Sequence, residues 1–162
     1  MSSKERLFEL EQTGNHLFHG SPDGDIETLE PRQGNHVPDL NKPTETIPDG
    51  MPAVSATPYA DMATFKAIIN KKNVPISHTS GFGTSPSGEK QFRVSSEEVL
   101  EHAKDKKGYV YVFDKNEFEP YSRNGGANEY SMEWRSYNSV RPVDVIEVTS
   151  DDLPHVSDIQ IG

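Results

Sequence analysis

The stretch 16-HLFHGS-21 is the starting point for interpreting the fold. Its apolar centre runs into Gly-Ser-Pro, a typical turn signal, and this pattern predicts a short buried strand with His19 near its end. A second short strand is predicted at 52–56. Thr57-Pro58 then fits an N-cap followed by the first helical residue, which predicts a helix to about Asn70.

Further helices and strands are predicted on both sides of this unit. A capping box at Ser2 predicts a helix over the first dozen residues, and another at Ser95 predicts a helix to about Lys104. The run 108-GYVYVF-113 is the strongest strand pattern in the chain. Two more strands are predicted at 133–136 and 143–148.

Polar stretches at 22–52 and 71–89 connect these elements. Proline, glycine and the lack of periodicity indicate loops, and a loop as long as 22–52 in a compact domain is usually functional or mobile. We predict a chain of the α+β class. It is divided into an N-terminal helix (1–15), one domain (16–149) and a C-terminal tail (150–162).

Composition excludes several classes of function. The 162 residues include 16 Lys and Arg against 26 Asp and Glu, a net charge of −10 with no basic stripe, which argues against non-specific nucleic-acid binding. The chain has no Cys, so it has no disulfide and no thiol nucleophile. No apolar run approaches the ~20 residues that span a bilayer, and the charged start lacks a signal-peptide pattern. We expect a cytoplasmic monomer without membrane association.

Few side chains carry a candidate chemistry. His19, at a strand end beside the open backbone of Gly20, can present its ring to a ligand, although a core histidine bonded to a carbonyl fits the same pattern. His16 and His19 are three apart on a strand and face opposite sides, so we expect no metal site. Glu133 precedes the only Trp and is either a partly enclosed functional carboxylate or a solvated strand end.

Taken in order, these pieces resemble the ADP-ribosyltransferase fold. The resemblance rests on 17-LFHGS-21, on 53-AVSAT-57 with Phe65 on the helix behind it, and on Glu133 before a closing strand. It covers roughly 16–149 and is strongest for the His–Tyr–Glu branch, which includes diphtheria toxin, the poly(ADP-ribose) polymerases and small bacterial and phage members. It implies two packed, mainly antiparallel sheets with a few helices.

The resemblance also implies a substrate, NAD, and no metal. By this comparison His19 holds a ribose hydroxyl, the backbone of Gly20 binds the nicotinamide carboxamide with Ser21 beside it, and Phe65 flanks the nicotinamide ring. Glu133 takes the place of the catalytic carboxylate, which stabilises an oxocarbenium-like state. Glu129 competes with Glu133 for this assignment.

At two positions the sequence departs from the family pattern. Val54 falls where the family has a second aromatic residue, for which Tyr59 could substitute, and Met62 falls where it often has Ser. The resemblance implies a mono-ADP-ribosyltransferase or NAD glycohydrolase with an unknown macromolecular acceptor. Val54 and Met62 favour the alternative of an inactive binding module, and the net charge favours an acidic interaction protein. An RNA 2′-phosphotransferase is disfavoured, because the arginines do not stand in the matching context.

Overall fold

The structure is a computed structural model that describes residues 2–33, 35–36, 41, 47–48, 50–123, 125–154 and 158–162. These residues form three α-helices: α1 (Ser3–Gln12), α2 (Ala60–Ile68) and α3 (Glu97–Ala103). The strands are β1 (His16–Ser21), β2 (Asn35–His36), β3 (Ile47–Pro48), β4 (Val54–Ala56), β5 (Ser80–Thr84), β6 (Lys90–Val94), β7 (Lys107–Asp114), β8 (Glu119–Tyr121), β9 (Glu133–Ser136), β10 (Asp144–Thr149) and β11 (Ile159–Ile161).

The strands pair into small sheets. In the first sheet, β7 lies between β1 and β10 and is antiparallel to both. The second sheet has the order β4-β9-β8 and is also antiparallel. The third has the order β11-β6-β5, in which β11 runs parallel to β6, and β2 pairs separately with β3.

The first sheet is buried on both faces. Val110 and Val112 belong to a core cluster with α2, whereas Tyr111 and Phe113 belong to a second cluster with Trp134 of β9. Successive strand residues point to opposite faces, so β7 packs against a different layer on each side. Burial of both faces explains why the sequence of β7 is apolar without interruption.

Helix α2 lies unusually close to β1 and β7. A Cβ atom on Gly20 would overlap the carbonyl oxygen of Ala63 and lie 2.7 Å from the backbone nitrogen of Ala67. A Cβ atom on Gly108 would overlap the carbonyl of Ala67. Two glycines on neighbouring strands therefore let the helix backbone approach the sheet.

Helix starts agree with the sequence in one case and differ in two. The Ser2 hydroxyl accepts the N–H of Glu5 at the start of α1, as predicted. The predicted cap at Ser95 is wrong: Ser96 is the N-cap of α3, and the Ser95 hydroxyl accepts the N–H of Thr79 instead. The N-cap of α2 is Tyr59 rather than the predicted Thr57, because the backbone of Thr57 pairs with β1.

The prediction of an α+β chain is confirmed, with more sheets than expected. The resemblance implied two sheets, whereas the described residues form three three-stranded sheets and the β2-β3 pair. Strands β2, β3, β5, β6, β8 and β11 were not predicted. β2 and β3 fall in the stretch 22–52 and β5 falls in 71–89, both interpreted as loops, and β11 falls in the predicted C-terminal tail. The predicted strands at β1, β4, β7, β9 and β10 are all present.

Helix length bears on membrane crossing. Within the described part of the chain, none of the helices combines the length and the apolar content that crossing a bilayer requires.

Candidate functional site

The site begins where β1 and β4 meet. The backbones of Phe18 and Thr57 exchange two hydrogen bonds of 2.8 and 2.9 Å, and this pair joins the first sheet to the second. At the next residue of β1, a side chain makes the contact with β4: Nδ1 of His19 lies 2.7 Å from the carbonyl oxygen of Ser55. Because a carbonyl can only accept, a neutral His19 carries its proton on Nδ1 and keeps Nε2 as an acceptor.

The imidazole of His19 favours the neutral form. Burial lowers the pKa of His19 below its ordinary value, and the positive charges of Lys66 and Arg32 lower it further, while the hydrogen bond to Ser55 acts in the opposite direction. The ring is therefore uncharged near neutral pH. Its Nε2 atom can accept a hydrogen bond, and the hydrogen bond from Nδ1 to Ser55 fixes the orientation of the ring.

Glu133 lies at the start of β9, held by donors from two strands. The hydroxyl of Ser55 donates to Oε2 of Glu133 at 2.8 Å, and Nε of Arg135 donates to the same oxygen at 2.6 Å. The Glu133 side chain keeps 34% of its surface exposed, whereas that of Arg135 keeps 7%. Glu133 is thus an oriented carboxylate at a surface opening, with its counter-ion buried behind it.

His19 and Glu133 line the same cavity. It has a volume of about 170 Å³, and Phe18, Met62, Phe82 and Met132 form its apolar walls. A neutral acceptor, a fixed carboxylate and the ammonium-bearing side chain of Lys66 thus share a small space with mainly apolar walls. Such a space favours a flat, weakly polar ring, and the carboxylate favours positive charge beside it.

A second cavity begins on the other side of His19. It has a volume of about 360 Å³ and shares His19 and Ser55 with the first cavity. Its lining includes Leu29, Ile26 and the cation Arg32, together with the acids Asp23 and Glu30. The carboxylate of Asp23 is paired with Lys72. The two cavities thus share a boundary formed by His19 and Ser55.

The structure brings together some of the predicted site residues and separates others. His19, Gly20 and Glu133 line the first cavity, and Ser21 and Val54 line the second. Ser21 is nearly buried, and its hydroxyl accepts the N–H of Asp23.

Phe65 and Tyr59 are not among the residues that line either cavity. Phe65 is 1% exposed, and its ring packs against Phe92 at 5.3 Å and Phe82 at 6.2 Å between centroids. Phe65 is therefore a core residue that does not line the first cavity, and Phe18 and Phe82 are the aromatic residues found in that lining. A role beside a ligand ring stays a prediction for Phe65. Tyr59 instead lies under the ammonium group of Lys90, 4.8 Å from its ring centroid.

The competing acid, Glu129, lies in an exposed turn. It follows Asn128, whose side chain accepts the N–H of Tyr130, and it lines neither cavity. Among the described residues, Glu133 is therefore the carboxylate of the first cavity. No group of three or more potential metal ligands is found in the same described part of the chain.

Several residues of the site were not assigned by sequence. Ser55 lies inside the motif 53-AVSAT-57 but was given no role, and Phe82, Lys66 and Arg135 were not considered for this cavity. The sequence does contain a signal for Arg135, because Glu133 and Arg135 are two residues apart on a predicted strand and therefore point to the same face. No local signal marks Ser55 as their neighbour, since this contact depends on the pairing of β4 with β9.

Comparison of the chain with protein-family models, with curated proteins and with solved structures found no significant match.

Proposed function

We propose that the chain is an ADP-ribosyltransferase-like enzyme that cleaves the nicotinamide–ribose bond of NAD. The ADP-ribosyl group passes either to an acceptor macromolecule or to water. The observation that carries the proposal is the meeting of His19 and Glu133 in one cavity, although 113 residues separate them in the sequence.

The chemistry of the first cavity supports this reaction. When the bond between ribose C1′ and the nicotinamide nitrogen breaks, nicotinamide leaves with the bonding electron pair and the ribose becomes an oxocarbenium-like cation. A carboxylate held in place by Ser55 and Arg135 would stabilise that cation without having to reorganise. The apolar walls would take the nicotinamide ring. Nε2 of His19 would accept a hydrogen bond from a ribose hydroxyl.

The second cavity supports a dinucleotide rather than a smaller ligand. Pockets for small molecules usually have volumes of ~300–1,000 Å³, which the first cavity alone does not reach. The second cavity lies beyond His19 and carries Arg32, a cation suited to phosphate oxygens. We assign the nicotinamide riboside to the first cavity and the rest of NAD to the second.

A binding module without catalytic activity is the second candidate. The observation in its favour is the ion pair, because a buried Arg135 requires a negative partner whether or not Glu133 acts on a substrate. Val54 and Met62, both buried, also lack the groups that the resemblance implies at their positions. This candidate binds NAD without releasing nicotinamide.

The first experiment follows NAD binding and free nicotinamide in the same NMR sample. We expect the wild-type chain to release nicotinamide, and we expect Glu133→Gln to lower the rate constant by about 10²–10³-fold, the loss typical of one electrostatic group. Glu129→Gln is the matched control: it removes the same charge four residues away and should leave the rate unchanged. NAD binding without release by the wild-type chain would favour the binding module. Equal release by wild type and Glu133→Gln would remove Glu133 from the mechanism.

A further inference from the structure

Arg135 is held more firmly than a counter-ion at a surface site requires. Its side chain is 7% exposed, and its guanidinium carbon lies 3.6 Å from the centroid of the Tyr121 ring. On another side, Gly50 leaves it room: a Cβ atom at that position would lie 2.9 Å from a terminal guanidinium nitrogen. The plane of the guanidinium is therefore fixed by its surroundings before Glu133 is considered.

The strand pairing places the guanidinium group of Arg135 next to the carboxylate of Glu133. Glu133 and Arg135 lie two apart on β9 and share a face, and Ser55 of β4 is directly opposite Arg135 in the register. Ser55 and Arg135 both donate to Oε2 of Glu133. Within the described part of the chain, Oε1 of Glu133 makes no hydrogen bond.

We propose that Arg135 is a positioning residue, which together with Ser55 holds Oε2 of Glu133 so that Oε1 is presented to the ribose of the substrate. This inference rests on the proposed function, and it adds a residue that does not touch the substrate itself. Arginine suits the task because its Nε can donate to the carboxylate while the planar group stacks on Tyr121. A lysine has the same charge but no planar group that can stack on the Tyr121 ring.

A positioning role predicts a specific kinetic signature. Misplacing the carboxylate slows the chemical step, whereas NAD still binds through the rest of the two cavities. We therefore expect Arg135→Gln to lower kcat for nicotinamide release by about 10²-fold, the size of effect that a misplaced catalytic group produces, while KM for NAD stays nearly constant. Arg135→Lys should recover only part of kcat. Arg141→Gln, an exposed arginine outside the site, is the control and should match the wild type.

Chemical rescue separates positioning from mere stabilisation of the fold. In Arg135→Ala the space beside Tyr121 is open, and millimolar ethylguanidinium should raise kcat at constant protein stability. Tyr121→Leu, which keeps both charges and removes the stacking ring together with its hydroxyl, should lower kcat less than Arg135→Gln does. Unfolding midpoints of all variants show how much of each loss comes from unfolding.

Each outcome decides the proposal. A fall in kcat at constant KM with rescue by ethylguanidinium supports positioning. An active wild type with an unchanged kcat in Arg135→Gln overturns the role of Arg135 and leaves the proposed function intact. A loss that follows the unfolded fraction and is not rescued reduces Arg135 to a structural ion pair. If the wild-type chain releases no nicotinamide, the proposed function fails and this inference fails with it.

Discussion

At the scale of single residues, the protonation of His19 makes the stability of the fold depend on pH. Burial lowers its pKa in the folded chain, so the unfolded chain binds a proton at a higher pH than the folded chain does. The contribution of His19 to the free energy of unfolding is thus fully present above the ordinary histidine pKa of ~6.5. It is lost as the pH falls from there toward the pKa of His19 in the folded chain. We expect the free energy of unfolding of wild type relative to His19→Gln to decrease with falling pH in this window. The slope is at most about 1.4 kcal/mol per pH unit.

The control for this prediction is His102→Gln. His102 lies on α3 with its side chain 36% exposed, and its Nε2 lies 3.9 Å from a carboxylate oxygen of Glu98. Urea unfolding of the three chains between pH 7.5 and pH 5 gives the comparison. A difference between wild type and His19→Gln that does not change with pH would show that His19 is not held neutral by its surroundings.

The structure brings His19 and Glu133 into one cavity and buries Phe65 in the core, and the sequence patterns account for both placements. His19 lies within β1 and Glu133 begins β9, two strands that the sequence pattern predicts, so the positions of both residues follow from local structure. The apolar spacing of Phe65 on α2 already fitted a core residue, and its burial against Phe92 agrees with that interpretation. Only the resemblance assigned Phe65 to the ligand, and a short motif cannot show which aromatic ring reaches a cavity.

At the scale of secondary-structure elements, the close approach of α2 to β1 depends on Gly20. An alanine there would drive its Cβ atom into the backbone of Ala63 and Ala67, which cannot rotate away as a side chain can. We expect Gly20→Ala to destabilise the fold by about 3 kcal/mol, the upper end of the usual cost of overpacking. The measurement is the urea-unfolding free energy.

Gly81→Ala is the matched control for Gly20. Gly81 lies in β5, and a Cβ atom on it would meet nothing within 4 Å. This substitution should therefore change stability by less than about 0.5 kcal/mol, as surface substitutions usually do. If Gly20→Ala were no more costly than Gly81→Ala, α2 would be free to shift away from β1, and Gly20 would not be a packing requirement.

How well each strand could be predicted depends on how it is buried. β7 is covered on both faces and therefore shows as a continuous apolar run. β6 is covered on one face only: Phe92 and Val94 are buried while Gln91 and Arg93 are exposed, an alternation of only two apolar residues beside a long polar stretch. β11 is three residues long and pairs in parallel with β6. Such pairing follows from tertiary contacts, which no local pattern specifies.

At the scale of the whole molecule, the net charge of −10 repels an anionic group such as the pyrophosphate of NAD, so the position of the cations matters more than their number. Arg32 lines the second cavity and acts on the charge of His19, whereas Arg93 is exposed on β6 of the third sheet. Replacing either arginine by Gln changes the net charge equally.

The charge pattern predicts that Arg32→Gln weakens NAD binding about tenfold and that Arg93→Gln leaves it unchanged. Loss of one charge-assisted hydrogen bond to phosphate typically removes about 1.5–3 kcal/mol, enough for a tenfold change even when solvent screens part of it. Titration calorimetry of the three chains with NAD, and again with nicotinamide alone, measures the effect. Nicotinamide has no phosphate, so its affinity should not respond to Arg32. If both substitutions lowered the affinity for NAD equally, the electrostatic field of the whole protein would set that affinity, and the second cavity would not hold the pyrophosphate.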